Sequence, residues 1–336
     1  MQRLVIDTNY LADEGLQNYL AASRHNFGLI NQITMVEVHK EYAATNARRL
    51  MQIACRFPGQ IIILRDLVDL TNMDGTTARL SRRMIDADQT AKFGAYCETI
   101  IHAPLDTAIE RQFAFFEEQS REYLAEVAQT APRLFNLFRM AERAFDASDV
   151  RHLCKRQSYP ADLQKKLVHL AFAIREVLIG AQQDRFPKEA GLAINTYLLR
   201  YSLVVAMFFA RWVKTGRNDI SNPKRLLNQI LDMKITAIAT FFDGLLTREP
   251  DMAEMYEEAS FVSAALGGYT KCGKGHGHEG REAAASLDPF DSRTPAGMPD
   301  DERAVGVRGG NGSDAVAGAP ARARGRRSPG AEETPA

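Results

Sequence analysis

Arg3-Leu4-Val5-Ile6-Asp7-Thr8-Asn9 is the stretch from which the architecture is read. A short apolar run rich in β-branched residues, bounded at once by polar ones, predicts a buried strand. Asp7, Thr8 and Asn9 then stand at its carboxyl end, the edge of an open parallel sheet where ligands bind. Outward from it, Leu11, Leu16, Tyr19 and Leu20 step at helical intervals. Thr34-Met35-Val36-Glu37 has the spacing of a capping box, with Thr34 as N-cap and Glu37 reaching back. Further helix is expected through Val38 and Tyr42 and again over 47–56, until Pro58-Gly59 breaks it. Ile61-Ile62-Ile63-Leu64 predicts a second buried strand. Strand, helices, strand at this spacing implies an α/β unit with parallel strands.

From 67 to about 212 the pattern is almost wholly helical, with breaks expected at Pro104, Pro132, Pro160 and Pro187. Leu203-Val204-Val205-Ala206-Met207-Phe208-Phe209-Ala210 falls far below the ~20 apolar residues of a membrane span. Arg200 stands just before it, so a buried helix is expected. Asn222-Pro223 opens a helix as N-cap and N1. Gly244-Leu245-Leu246-Thr247 predicts a third strand, Arg248-Glu249-Pro250-Asp251 a turn at its carboxyl end, and 252–265 a last helix.

The 336 residues carry 42 basic and 42 acidic side chains, which excludes a strongly basic nucleic-acid coat and an acidic tail protein. Local patches can still meet a polyanion. Residues 266–336 hold 14 of the 23 glycines and 6 of the 13 prolines, with two aromatics, a composition expected of a disordered tail. Cys55, Cys97, Cys154 and Cys272 are too few and too scattered for a disulfide framework, and a reducing, cytoplasmic setting follows as the expectation. Cys272, His276 and His278 supply three metal-binding types in the tail, one short of a closed structural zinc site. No phosphate-cradling glycine loop occurs.

Four acids can reach one edge. Asp7 follows the first strand and Asp251, with Glu249, the third; Glu37 lies early in its helix and Asp232 halfway along the helix begun at Asn222. Each alone has a plainer explanation: a capping-box partner for Glu37, a cap or turn for Asp7 and Asp251. Asp232, among Leu231, Met233 and Ile235, has less of one, because a carboxylate on the inner side of a helix needs a partner. Four carboxylates in one cleft repel unless a cation holds them, and hard oxygen ligands suit Mg²⁺ or Mn²⁺.

Leu4-Val5-Ile6-Asp7-Thr8-Asn9, Thr34-Met35-Val36-Glu37, the stretch from Leu231-Asp232-Met233 to Ala239 and the stretch from Gly244-Leu245-Leu246 to Met252 resemble, in this order, the PIN domain, a family of metal-dependent nucleases. The resemblance implies a three-layer α/β/α fold with a parallel sheet, in two parts at 1–103 and 217–265, around an all-helical insertion at 104–216 and ahead of the disordered tail. It implies one or two divalent ions held by Asp7, Glu37, Asp232 and Asp251, with Thr8, Asn9, Thr247 and Glu249 supporting them. Glu249 departs from the family's usual Asn or Asp there. Arg217, Lys224 and Arg225 are the expected phosphate contacts beside such a site, and Arg79, Arg82 and Arg83 form a further basic group.

The implied activity is phosphodiester hydrolysis, with RNA as the expected substrate and structured DNA as the alternative. The competing class is a non-catalytic scaffold that binds a protein partner through its helical block. A homodimer is compatible with the wide apolar stripes of that block, and no membrane association is expected.

Overall fold

The computed structural model describes residues 1–73, 75, 80–102, 106–154, 160–180, 193–215 and 222–267. Residues 268–336 of the expected tail, the breaks expected at Pro104 and Pro187, Arg79, Arg217 and the Cys272, His276 and His278 group therefore lie outside the described residues.

The described chain is mostly helical around a small parallel sheet, an α/β fold. Strands β1 (Gln2–Ile6), β2 (Asn26–Ile30), β3 (Ile61–Ile63) and β4 (Gly244–Leu246) lie in the order β3-β2-β1-β4. In register, Val5 lies level with Leu29 and Leu245, and Leu29 with Ile62. Ile6 lies level with Leu246, and Ile30 with Ile63. Side chains alternate across a strand, so the two rows face opposite ways. Val5, Leu29 and Ile62 belong to one buried cluster, Ile6, Ile30 and Ile61 to another. Both faces of the sheet are buried, which is why the strands read as continuous apolar runs.

Strand β2 was not expected from the sequence. Gly28 interrupts its apolar run, yet a Cβ there would lie 2.5 Å from Ile6 Cδ1 and 3.2 Å from Ile61 Cδ1. The glycine lets two isoleucines lie across β2 from its neighbours, the close approach that a strand glycine often marks.

Helices α1 (Glu14–Ala22), α2 (Gln32–His39), α3 (Ala43–Leu50) and α4 (Gln52–Arg56) connect the first three strands. After β3 come α5 (Leu67–Thr71), α6 (Leu80–Arg83) and α7 (Ala87–His102). Cys55 on α4 and Cys97 on α7 form a disulfide, with Cα atoms 5.2 Å apart, across packed helices that are 42 residues apart in sequence. The expectation of no disulfide framework missed this pair, since spacing along the chain does not report helix packing.

Helix α8 (Thr107–Glu142) continues unbroken through Pro132, against the expected break. Val127, Ala131 and Phe138 on either side of the proline are buried in the core, and this burial outweighs the lost amide. Helices α9 (Ala147–Cys154) and α10 (Ala161–Ile179) lead to α11 (Tyr197–Lys214), which is buried on nearly every side. Phe138 packs against Phe208, Phe209 and Trp212 with ring centroids 5.5–5.8 Å apart. Arg200 is fully buried there: Nε donates to Ile194 O at 3.0 Å, Nη1 donates to the Thr240 carbonyl, and the guanidinium lies 3.8 Å from the Phe241 ring centroid. These partners make an arginine tolerable in an apolar helix. Among the described residues no helix is long and apolar enough to cross a membrane.

The helical block and the sheet share one core. The cluster that holds Val5 and Leu29 runs on through Phe138, Leu167 and Phe209. Helix α8 packs on α2, α3 and α12 (Pro223–Ala239), while α11 packs on α12 and α13 (Pro250–Ala265). Asn222 caps α12 through bonds from Lys224 N and Arg225 N, with Pro223 at N1, as the sequence indicated.

Candidate functional site

The strand order turns back at β1. The chain builds outward through β2 and β3, then returns to place β4 on the other side of β1. Such a switch point leaves a crevice at the carboxyl ends of the two diverging strands. Asp7 follows β1 and Thr247 follows β4, so both stand at that crevice.

Asp7 is almost wholly buried and continues the sheet, its amide donating to Leu246 O at 2.9 Å. Its carboxylate accepts from Thr8 N at 2.7 Å on Oδ1 and from Thr247 Oγ1 at 2.8 Å on Oδ2. The Thr8 hydroxyl donates to Glu37 Oε2 at 2.5 Å, which ties the second acid to the same turn. Asn9 Oδ1 accepts from Arg248 N at 3.1 Å, and Thr247 Oγ1 accepts from Glu249 N at 3.0 Å. Of the three supports expected, Thr8 and Thr247 bond the acids Glu37 and Asp7, while Asn9 bonds the Arg248 amide and so ties the β1 end to the β4 end.

Glu37 is free for this site because it does not close a capping box. The N-cap of α2 is Asn31, whose Oδ1 accepts from Ile33 N and Thr34 N. Thr34 sits inside the helix and donates to Ile6 O at 2.9 Å, pinning α2 to the end of β1. Glu37 falls in the second turn, facing Thr8, with Lys40 Nζ 3.7 Å from its Oε1.

Asp232 projects from the middle of α12. Its pKa is pushed up to about 8, first by burial and then by the charges of Asp7, Glu37 and Glu249. Asp7 is pushed up to about 6, with burial and the Glu37 and Glu249 charges outweighing the bonds from Thr247 and Thr8. Asp7 and Asp232 both feel the charges of Glu37 and Glu249, and Asp232 also feels Asp7, so the four acids lie within electrostatic reach of one crevice.

Asp251 is not brought to it. Expected in a turn after β4, it lies instead in the first turn of α13, which begins at Pro250. Proline at N1 starts the helix two residues earlier than the sequence reading had it. The Asp251 side chain is 88% exposed and accepts from Arg211 Nη1 at 3.2 Å, beside Glu254. An acid in a first turn is favoured by the helix dipole, which accounts for it without chemistry. Glu249, assigned only a supporting role from the sequence, is the β4-side acid that acts on Asp7 and Asp232.

Of the basic residues expected at the site, Lys224 and Arg225 are exposed in the first turn of α12. The helix ends where β4 begins, at the amino edge of the sheet, where Asp243 N donates to Arg3 O at 3.0 Å. Its first turn therefore projects on the carboxyl side, about 12 Å beyond Asp232 along the axis. Two cations missed by the sequence reading are nearer: Lys40 beside Glu37, and Arg248, which pairs with Asp13 at the lip of β4. Asp13 also caps α1 by accepting from Gly15 N at 2.6 Å; this bond and Arg248 hold its carboxyl below the usual range.

As donors the four acids are hard oxygens, the chemistry of Mg²⁺ and Mn²⁺. Among the described residues no three or more Asp, Glu, His or Cys side chains are arranged to hold a metal ion as they stand. No protein-family model, curated protein or solved structure matches the chain.

Proposed function

We propose that the chain is a Mg²⁺- or Mn²⁺-dependent nuclease of PIN-like, three-layer α/β/α build that hydrolyses phosphodiester bonds in RNA. The observation that carries this reading is the convergence of Asp7, Glu37, Asp232 and Glu249, from four separate segments, on the switch-point crevice. Two of them have pKa values raised by burial and mutual repulsion. Asp7 is buried, Glu37 and Asp232 are half-buried and Glu249 is exposed at the rim; like charges so gathered are costly to the fold alone and become favourable once a cation is bound.

Asp7, Glu37, Asp232 and Glu249 would hold the ion. When bound, it would polarise a phosphoryl oxygen and acidify a water molecule for attack. The chain's own groups do the rest. Thr8 holds Glu37 and Thr247 holds Asp7, so two acids are fixed before anything binds. Asp7 forms the buried floor of the site. Lys40 and Arg248 at the lip, with Lys224 and Arg225 further out, draw a phosphate chain toward carboxylates that would otherwise repel it.

The test incubates purified protein with a short labelled RNA in Mn²⁺, in EDTA, and as Asp7→Asn in Mn²⁺. The expected result is cleavage in the first sample and none in the others. Cleavage by Asp7→Asn at the parent rate would remove the site assignment, and no cleavage under any condition would remove the activity.

A further inference from the structure

Between α2 and α3 the chain makes a short bend, and Tyr42 stands in it with φ 48° and ψ 48°. It is the one non-glycine residue with positive φ among the described residues. A bulky side chain takes this left-handed conformation only where its surroundings impose it. They do so here. Glu117 Oε2, from α8, accepts from Ala43 N at 3.2 Å and so supplies the helix cap that Tyr42 does not. Asn46 N donates to Tyr42 O at 3.0 Å, and Asn46 Nδ2 donates to Glu41 O at 2.5 Å. Ala43 and Ala47 are buried beneath the bend.

The fold gains nothing from the ring it holds in this way. Tyr42 is 78% exposed, the most exposed of the large apolar and aromatic residues described. Its position is informative: it lies two residues from Lys40, no more than about 7 Å along the chain, and Lys40 reaches Glu37 in the acidic crevice. A cation for a phosphate and, two residues on, an exposed aromatic ring for a base are the two parts by which proteins hold unpaired nucleotides.

We propose that Tyr42 is a base-stacking platform that, with Lys40, makes the crevice a site for single-stranded nucleic acid. The proposal rests on the nuclease reading for its substrate class and deepens it. Bases in a duplex are already stacked on one another, so the ring has nothing to receive from a double strand. The shared chemistry is an unstacked base on a sugar–phosphate chain, and the two sugars are separated by the test.

Binding is measured by fluorescence anisotropy with a short single-stranded RNA, the DNA of the same sequence, and the RNA duplex. An Asp7→Asn background keeps the probe from being consumed. Tyr42→Gly is expected to weaken single-strand binding about 5- to 100-fold and to change duplex binding little. Its melting temperature should equal or exceed that of the background, because glycine takes this φ without strain. Tyr42→Phe keeps the ring and should bind as the background does. Tighter binding of RNA than DNA assigns the sugar; equal binding assigns a single strand of either.

The platform is overturned if Tyr42→Gly binds single strands undiminished, if it loses single and double strands equally, or if Tyr42→Phe loses as much as Tyr42→Gly. Cleavage by the Asp7 protein in Mn²⁺ is scored separately. Binding without cleavage keeps the platform and ends the nuclease reading. Cleavage with Tyr42→Gly binding unchanged does the reverse. No binding by any form ends the platform as well.

Discussion

Replacing Asp7 by Asn should stabilise the metal-free protein, and should do so only above acid pH. The Asp7 carboxyl titrates at about 6 in the fold, against 3.8 in the unfolded chain. That difference is about two pH units, and at 1.36 kcal/mol per unit it amounts to about 3 kcal/mol. The sign follows from which form the fold prefers. Raised above its unfolded value, Asp7 contributes stability that is fully present below pH 3.8 and is lost as pH rises through about 6. Above pH 7 the parent therefore carries the whole penalty of an ionised Asp7. Asparagine removes the charge, accepts from Thr8 N through its carbonyl, and can donate to Thr247 Oγ1. The expected gain is about 1–3 kcal/mol at pH 8, shrinking toward zero near pH 4. Asp232 should also ionise more readily in the variant, since Asp7 is the first of the charges that raise it. Urea unfolding in EDTA at pH 4, 6 and 8, on both proteins, measures the difference. A variant less stable than the parent at pH 8, or a difference that does not change with pH, refutes the electrostatic account.

Phe138→Ala should cost about 3–5 kcal/mol, because the ring is fully buried against Phe208, Phe209 and Trp212. If the helical block shares its core with the sheet, urea unfolding followed by Trp212 fluorescence and by circular dichroism should shift together; separate transitions would show two folding units. Reducing the Cys55–Cys97 bridge, which closes a loop of 42 residues, should lower stability by roughly 2–4 kcal/mol. An unchanged urea midpoint in dithiothreitol would show that the bridge adds nothing.

The elements that sequence could foretell were those with local signals. Residues 3–6, 61–63 and 244–246 announce strands by apolar runs closed by polar residues, and Asn222-Pro223 announces a helix by its own cap. Where tertiary contact decides, the sequence was silent or misleading. Gly28 hides β2, since the isoleucines that need its missing Cβ lie on other strands. Thr34 looks like a cap because its partner, the Ile6 carbonyl, is 28 residues away. Pro132 looks like a break because the burial that overrides it is contributed by other helices. Of the four acids expected from type and order, Asp7, Glu37 and Asp232 come within electrostatic reach of one another, while Asp251 pairs with Arg211 instead. Glu249 and Asp251 differ by two positions, and with α13 starting at Pro250 it is Glu249 whose charge acts on Asp7, while Asp251 pairs with Arg211. Lys40 and Arg248 were missed because their nearness to the crevice depends on how α2 and β4 are held there. The Pro250 signal was available: proline after an extended residue is a helix start as readily as a turn.

That choice of acids gives the most direct test of the central claim, that Asp7, Glu37, Asp232 and Glu249 form one cation site. Mn²⁺ is titrated calorimetrically into the parent and into Asp232→Asn, Glu249→Gln and Asp251→Asn near neutral pH. The account predicts saturable binding by the parent and by Asp251→Asn with equal affinity, at least tenfold weaker binding by Glu249→Gln, and none measurable by Asp232→Asn. Binding lost in Asp251→Asn but kept in Glu249→Gln, or no binding by the parent, would contradict it.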